Sequence, residues 1–173
     1  MTTLANELRS SLNADQLHPL HIYLRDHEAA AAGGLRLAHR CWKSNRGTAY
    51  ADELHRLATD VRADRDALRQ ICSDLGVRLS RLGRAVACAG VLMGRLKLNG
   101  RLFRYSPLSR VIELEALSSG VMAKRRLWES LLSTAETDRR LDREALVRHA
   151  AEANEQLKAV GKLHDAAAHE AFG

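Results

Sequence analysis

Aromatic residues and proline are scarce in this chain: aromatics make up 4% of the 173 residues, and Pro occurs twice. The sequence also lacks any alternating apolar and polar run long enough to predict a strand, whereas Ala, Leu and Arg recur at helical spacing. Such a composition is typical of an all-helical bundle. A chain of this length is large enough to bury a core without disulfides or metal, so we predict a single domain over residues 1–173.

Cysteine is also rare. The three cysteines, Cys41, Cys72 and Cys88, are odd in number, widely spaced and set in apolar helical contexts. This pattern argues against a disulfide framework or a zinc knuckle. We therefore predict buried free thiols in a reducing cytoplasm.

No long hydrophobic run is present. Residues 1–12 contain Asn, Glu, Arg and Ser, so they do not form a secretory signal. The most apolar run, residues 85–94, is half as long as the ~20 residues of a membrane-spanning helix. A soluble, cytoplasmic protein is expected. The chain also lacks a nucleophile elbow and a phosphate-binding glycine loop, so a non-enzymatic protein is the favoured prediction.

Acidic residues are missing from residues 75–112, which contain eight basic side chains. Outside this basic window, 19 basic residues face 21 acidic ones, so the net charge of +6 arises within it. One interpretation is a binding surface for nucleic acid or for acidic lipid headgroups. The other, which the sequence favours, is a solvated or internally paired basic surface. The candidate anion-binding residues are Arg78, Arg81, Arg84, Arg95, Lys97, Arg101 and Arg104.

Apolar residues spaced alternately by three and four predict four long helices, at about 17–42, 49–75, 106–131 and 141–171. Thr48 and Ser106 are predicted N-caps, and Gly76 a left-handed C-cap. Residues 1–15 form a less ordered leader. The connections within the first and second pairs of helices are short, so each pair should form an antiparallel hairpin.

The connection between the two hairpins, residues 78–106, is long. Its apolar spacing predicts a fifth helix at about 80–98, which at ~1.5 Å per residue would span roughly the length of a bundle. Two hairpins joined by a long crossover are typical of ferritin-like bundles. The predicted fold is therefore all-α: a ferritin-like four-helix bundle with an additional crossover helix between its second and third helices.

Small residues concentrate at 29–34 and at 118–123. A glycine inside a helix costs up to ~1 kcal/mol relative to alanine, so Gly33 and Gly34 need a reason. Close packing of two helix backbones is the favoured explanation, and a cofactor cleft is the alternative.

Two segments carry a family resemblance. Tyr23-Leu-Arg-Asp-His-Glu28 and Asp64-x-x-x-Leu68-x-x-Ile71-x-x-x-Leu75-Gly76 resemble the first hairpin of ferritin-like bacterial stress proteins. The segments 94–101, 106–110 and 113–117 are similar to a group of bacterial proteins that share this layout, have an incomplete metal-ligand set and bring no established activity. The resemblance implies a ferritin-like fold and a role in stress physiology.

Ferritin-like metal proteins take a Glu from each of two helices and a Glu-x-x-His pair from each of the other two. Glu28 matches the first glutamate, whereas Asp64 stands where such stress proteins carry a ligand histidine. No Glu-x-x-His occurs in the third or fourth predicted helix. Because the ligand set is incomplete, the favoured prediction is that no cofactor binds.

Two interpretations of these carboxylates stay open. A mixed carboxylate site for iron or manganese would use oxygen ligands. Alternatively, a buried Asp64 is neutralised by a nearby cation, because an unpaired buried carboxylate is costly. The second interpretation is favoured, with His27, Arg65 or Lys124 as the cation. The candidate metal ligands are Glu28, Asp60, Asp64 and Glu115.

The sequence thus favours a non-enzymatic bundle that acts through its surface, with a carboxylate metal protein and an anion-binding module as rivals. A homodimer is a further prediction, since bundles often associate through spare apolar faces.

Overall fold

A computed structural model describes residues 19–79 and 105–173. Within these ranges the protein is all-helical and contains no strand, which confirms the all-α prediction. The predictions of a crossover helix at about 80–98 and of a less ordered leader at 1–15 fall outside the described residues. The four helices are α1 (Pro19–Ser44), α2 (Ala51–Asp74), α3 (Pro107–Thr134) and α4 (Arg143–Phe172).

Local signals set most of the helix ends. The Ser106 side chain accepts a hydrogen bond from the amide of Ser109, and Pro107 occupies the first turn of α3, as predicted. Gly76 ends α2 with a φ of 72°, and the amide of Val77 reaches back to the carbonyl of Cys72 at 2.7 Å. The Thr48 prediction was wrong. Its hydroxyl donates to the Asn45 carbonyl and closes a turn, and α2 begins three residues later.

The core lies between two helical hairpins. α1 packs along α2 and α3 along α4, and the hairpins meet through α1 against α3 and α2 against α4. Large apolar side chains from all four helices fill the centre, including Leu24, Leu54, Leu68, Leu114, Trp128, Leu131, Leu146 and Val160. The predicted antiparallel hairpins are present. Glu28 and Trp42 of α1 contact Arg65 and His55 of α2, and Glu115 and Trp128 of α3 contact His164 and His149 of α4.

Two side-chain contacts give the direction of α3 relative to α1. The Tyr23 hydroxyl donates to Ser130 at 3.4 Å, and the Arg40 Nε donates to Glu113 at 2.8 Å. The helices are thus antiparallel, and the small residues at 29–34 lie opposite the stretch 119–124. Since α2 is also antiparallel to α1, α2 and α3 run parallel. The end of α2 and the start of α3 therefore lie at opposite ends of the bundle.

None of the four described helices is both long enough and apolar enough to cross a lipid bilayer.

Candidate functional site

An open groove lies between α1, α2 and α3, with a volume of about 420 Å³. Its walls are mostly apolar and include the small residues of 29–34 and of 116–123. A Cβ atom added at Gly34 or at Gly120 would meet nothing within 4 Å. At these two positions the close-packing explanation was wrong, because the glycines leave space between the helices instead of bringing two backbones into contact.

Side-chain contacts join α1 and α3 on either side of the groove. Tyr23 with Ser130 and Arg40 with Glu113 bracket the stretch of small side chains. Alanine, glycine and serine side chains between these points are too short to fill the gap. The same local composition that permits close packing therefore produces a groove here.

Cations outnumber anions on the groove walls. Arg36, Arg40, Arg65 and Lys124 line it together with one carboxylate, that of Asp64. Arg40 pairs with Glu113, and Arg65 pairs with Glu28 at 2.6 Å. Arg36 makes no hydrogen bond or ion pair with any residue in the described ranges. His27 also lines the groove, and burial lowers its pKa, which favours the neutral imidazole.

Two buried N–H donors on the groove walls lack an acceptor among the described residues. They are the indole Nε1 of Trp128 and the guanidinium Nε of Arg65. Trp128 is 0% exposed, and its ring stacks on His149 with 5.0 Å between the ring centroids. A buried donor left without a partner costs about 1–3 kcal/mol, so each of these groups needs an explanation.

Asp64 is buried and held by two polar side chains. Its Oδ2 accepts a hydrogen bond from Lys124 Nζ and another from Gln156 Nε2, the latter at 3.1 Å. The Lys124 ammonium also donates to the Gln156 amide oxygen. The interpretation of a buried aspartate neutralised by a cation is confirmed, with Lys124 as that cation.

The candidate metal ligands from the sequence do not converge on one point. Glu28 faces the guanidinium groups of Arg65 and Arg69. The Glu115 side chain is 60% exposed and lies 3.5 Å from His164. Asp60 lies one turn before Asp64, and its pKa is raised by burial and then by the Asp64 charge.

A different combination of side chains comes together instead. Within the described residues, Asp64, His149 and Glu152 are the group of potential ligands whose atoms all lie within 4.8 Å of one another. The His149 Nδ1 lies 3.2 Å from Glu152. Their spacing of three residues on α4 was visible in the sequence, but it indicated only a surface ion pair. Their proximity to Asp64 depends on the packing of α4 against α2.

Most of the basic window lies outside the described residues, including Arg81, Arg84, Arg95, Lys97, Arg101 and Arg104. Arg78 is described and exposed. Arg110, in the same window, is buried: it donates to Asn45 at 2.6 Å and to Glu170 at 2.5 Å, and it lies 4.1 Å from the Tyr50 ring centroid. This arginine is therefore paired internally.

Sequence reasoning missed a second buried carboxylate, Glu113, at the end of the bundle where α3 begins. Glu113 is 1% exposed and accepts hydrogen bonds from Arg40, from the Cys41 thiol and from the Tyr105 hydroxyl. Burial and the Glu113 charge raise the pKa of Cys41. Cys41 and Cys72 are both free and buried, as predicted, and Cys88 lies outside the described residues.

This arrangement is structural, because its groups are bonded to one another and its thiol is held in the protonated form. The groove and the cluster around Asp64 are left as the candidate sites. Comparisons of the chain with protein families, with curated proteins and with solved structures find no match.

Proposed function

We propose that this chain is a non-enzymatic helical bundle of ferritin-like topology that binds a small apolar molecule in the groove between α1, α2 and α3. The observation that carries the proposal is an open, mostly apolar groove of about 420 Å³. Small-molecule sites are typically concave, apolar and ~300–1,000 Å³ in volume. Asp64 is bonded to Lys124 and Gln156, and such a neutralised carboxylate favours binding over acid–base catalysis.

The directions of the helices support the ferritin-like topology. α2 and α3 run parallel, so the chain between them has to connect opposite ends of the bundle, as in bundles with one long crossover. The role in stress physiology that the family resemblance implies stays a prediction.

Filling the groove tests the proposal. The full chain is titrated with Nile red, an uncharged apolar dye whose fluorescence rises in apolar surroundings. Gly34→Leu and Gly120→Leu each add a side chain where the groove has space. We expect each substitution to weaken dye binding at least roughly tenfold, because the loss of contact for several buried methylenes exceeds 1.4 kcal/mol.

Gly161→Leu is the matched control. Gly161 lies within α4, does not line the groove, and also has nothing within 4 Å of an added Cβ. Leucine is the better helix former by up to ~1 kcal/mol, so all three variants should stay folded, which thermal melting will verify. The proposal fails if the wild-type chain does not bind the dye, or if the two groove variants bind it as tightly as the Gly161 variant.

A second candidate function is binding of a divalent metal ion, favoured by the convergence of Asp64, His149 and Glu152. Two carboxylates and an imidazole suit zinc, manganese or iron. Opposing it, the Lys124 ammonium already bonds to Asp64 and would repel a divalent ion there.

Calorimetric titration of metal-free protein with zinc, manganese and iron(II) tests this candidate. Binding heat should be lost in His149→Ala and kept in His169→Ala, an exposed histidine on the same helix. Absence of heat with all three ions would end the metal hypothesis.

A further inference from the structure

We infer that the molecule bound in the groove is an amphipathic carboxylate, whose apolar body lies on the small-residue walls and whose anionic oxygens accept hydrogen bonds from Trp128 and Arg65. This inference rests on the proposed function and names the class of ligand.

The first argument is the position of the two unpaired donors. Arg65 follows Asp64 on α2, and Trp128 lies one helical turn beyond Lys124 on α3. The groove lining begins at His27 on α1 and ends at Trp128 on the antiparallel α3, and Arg65 bonds to Glu28. Both donors therefore lie toward the same end of the groove. Buried N–H groups are almost always paired with an acceptor, so two unpaired donors at one end of a groove indicate that a ligand supplies the acceptor.

The second argument is charge. Three of the four cationic side chains that line the groove are paired with carboxylates, whereas Arg36 has no ion-pair partner among the described residues. A ligand with an ammonium group would meet an excess of positive charge. A carboxylate would instead receive charge-assisted hydrogen bonds, which are about twice as strong as neutral ones.

The third argument concerns the segment of the chain between α2 and α3. Residues 80–104 contain six basic side chains and no Asp or Glu. This segment therefore has no carboxylate to offer to the donors of Trp128 and Arg65. An external anion is the better electrostatic match.

Three ten-carbon competitors separate these contributions. Decanoate, decanol and decylamine share one apolar chain and differ in the head group, and each is titrated against Nile red bound to the full chain. Decanoate should displace the dye at roughly tenfold lower concentration than decanol, because one hydrogen bond to a charged group contributes about that much. Decylamine should be the weakest competitor.

Trp128→Phe removes the indole N–H and keeps an aromatic ring, and Arg65→Lys keeps the charge next to Glu28 but removes the Nε donor. Each substitution should reduce the preference for decanoate over decanol severalfold and leave decanol binding nearly unchanged. The control is Trp42→Phe, because Trp42 lies outside the groove lining, against Arg46 and His55. Its preference should equal that of the wild type.

A spectroscopic readout does not depend on any variant being stable. The chain contains two tryptophans, so its ¹H–¹⁵N spectrum has two indole signals, and Trp42→Phe assigns them. Decanoate should shift the Trp128 signal downfield, and decanol should shift it less.

The outcomes distinguish the two proposals. Any one of three results overturns the carboxylate inference: equal displacement by decanoate and decanol, a preference that persists in Trp128→Phe and in Arg65→Lys, or an unmoved Trp128 signal. In each of these cases, binding of the dye would still support the groove as a binding site. Failure of every probe to bind overturns both.

Discussion

Glu113 is a charged side chain that the fold has fully enclosed, at 1% exposure, among three donors. We expect Glu113→Gln to lower the free energy of unfolding by about 2–3 kcal/mol. Hydrogen bonds to a charged group contribute about 1.5–3 kcal/mol, and the glutamine amide would direct N–H groups toward donors. Urea denaturation, monitored by helical circular dichroism, measures the change.

Glu115→Gln provides the matched control two residues away on the same helix. The Glu115 side chain is 60% exposed, so its loss should change the unfolding free energy by less than ~0.5 kcal/mol. Equal effects of the two substitutions would show that the Glu113 network adds nothing to stability.

The thiols allow a second test at single residues. Burial, with a smaller contribution from Glu28, raises the pKa of Cys72 from 9.0 to about 11. Since each pKa unit lowers the thiolate fraction tenfold and the buried thiol is also out of contact with solvent, alkylation of Cys72 by iodoacetamide at pH 8 should be at least about a hundredfold slower in the folded protein than in denaturant. Peptide mapping by mass spectrometry measures the rate at each cysteine. Alkylation of Cys72 at the denatured rate would contradict its burial.

Individual residue roles were only partly predictable. The sequence named Lys124 among three possible cations for Asp64, because a buried carboxylate needs a counter-charge wherever it lies. It did not identify Trp128 as an unpaired donor, because the burial of this ring against His149 depends on how α3 and α4 pack.

At the scale of helices, local sequence signals predicted most of the helix ends. The Ser106-Pro107 pair and Gly76 indicate helix ends in the sequence itself. In the structure Ser106 caps α3, and Gly76 takes a positive φ after α2. Thr48 failed as a cap because α2 begins at Ala51. The Thr48 hydroxyl lies in the preceding turn, where it donates to the Asn45 carbonyl and accepts from the Tyr50 amide.

The small residues of α1 provide a test at this scale. If Gly34 allowed two helices to pack closely, an alanine side chain there would clash. Because the space beside Gly34 is open, we expect Gly34→Ala to raise the free energy of unfolding by about 1 kcal/mol through helix propensity alone. Gly76→Ala is the contrasting control, because its φ of 72° should make alanine destabilising by about 1 kcal/mol or more. Urea denaturation curves of both variants measure these changes in the free energy of unfolding. A loss of stability in Gly34→Ala would restore the packing explanation.

At the scale of the whole molecule, the sequence predicted two hairpins but not the space between them. Hairpin formation follows from short connections, whereas the groove depends on how α1, α2 and α3 pack against one another. The same distinction explains the metal candidates: sequence position suggested Glu28 and Glu115, and the packing of α4 placed His149 and Glu152 beside Asp64.

The concentration of positive charge in the basic window leads to the last prediction. If the basic window binds nucleic acid, the full chain should shift a DNA duplex at low salt and lose about a thousandfold or more in affinity between 50 and 200 mM salt, because each phosphate contact releases counterions. Arg78, Arg81 and Arg84 changed together to Gln should reduce the slope of log affinity against log salt by about one unit per contact removed.

Arg139, Arg143 and Arg148 changed together to Gln produce the same net charge from exposed positions outside the window. Equal effects of the two triple variants would attribute binding to net charge alone. Failure of the wild-type chain to shift DNA or RNA at any salt concentration would end the nucleic-acid hypothesis. In that case the favoured interpretation of a solvated or internally paired basic surface would stand, and Arg110 already fits it through its bonds to Asn45 and Glu170.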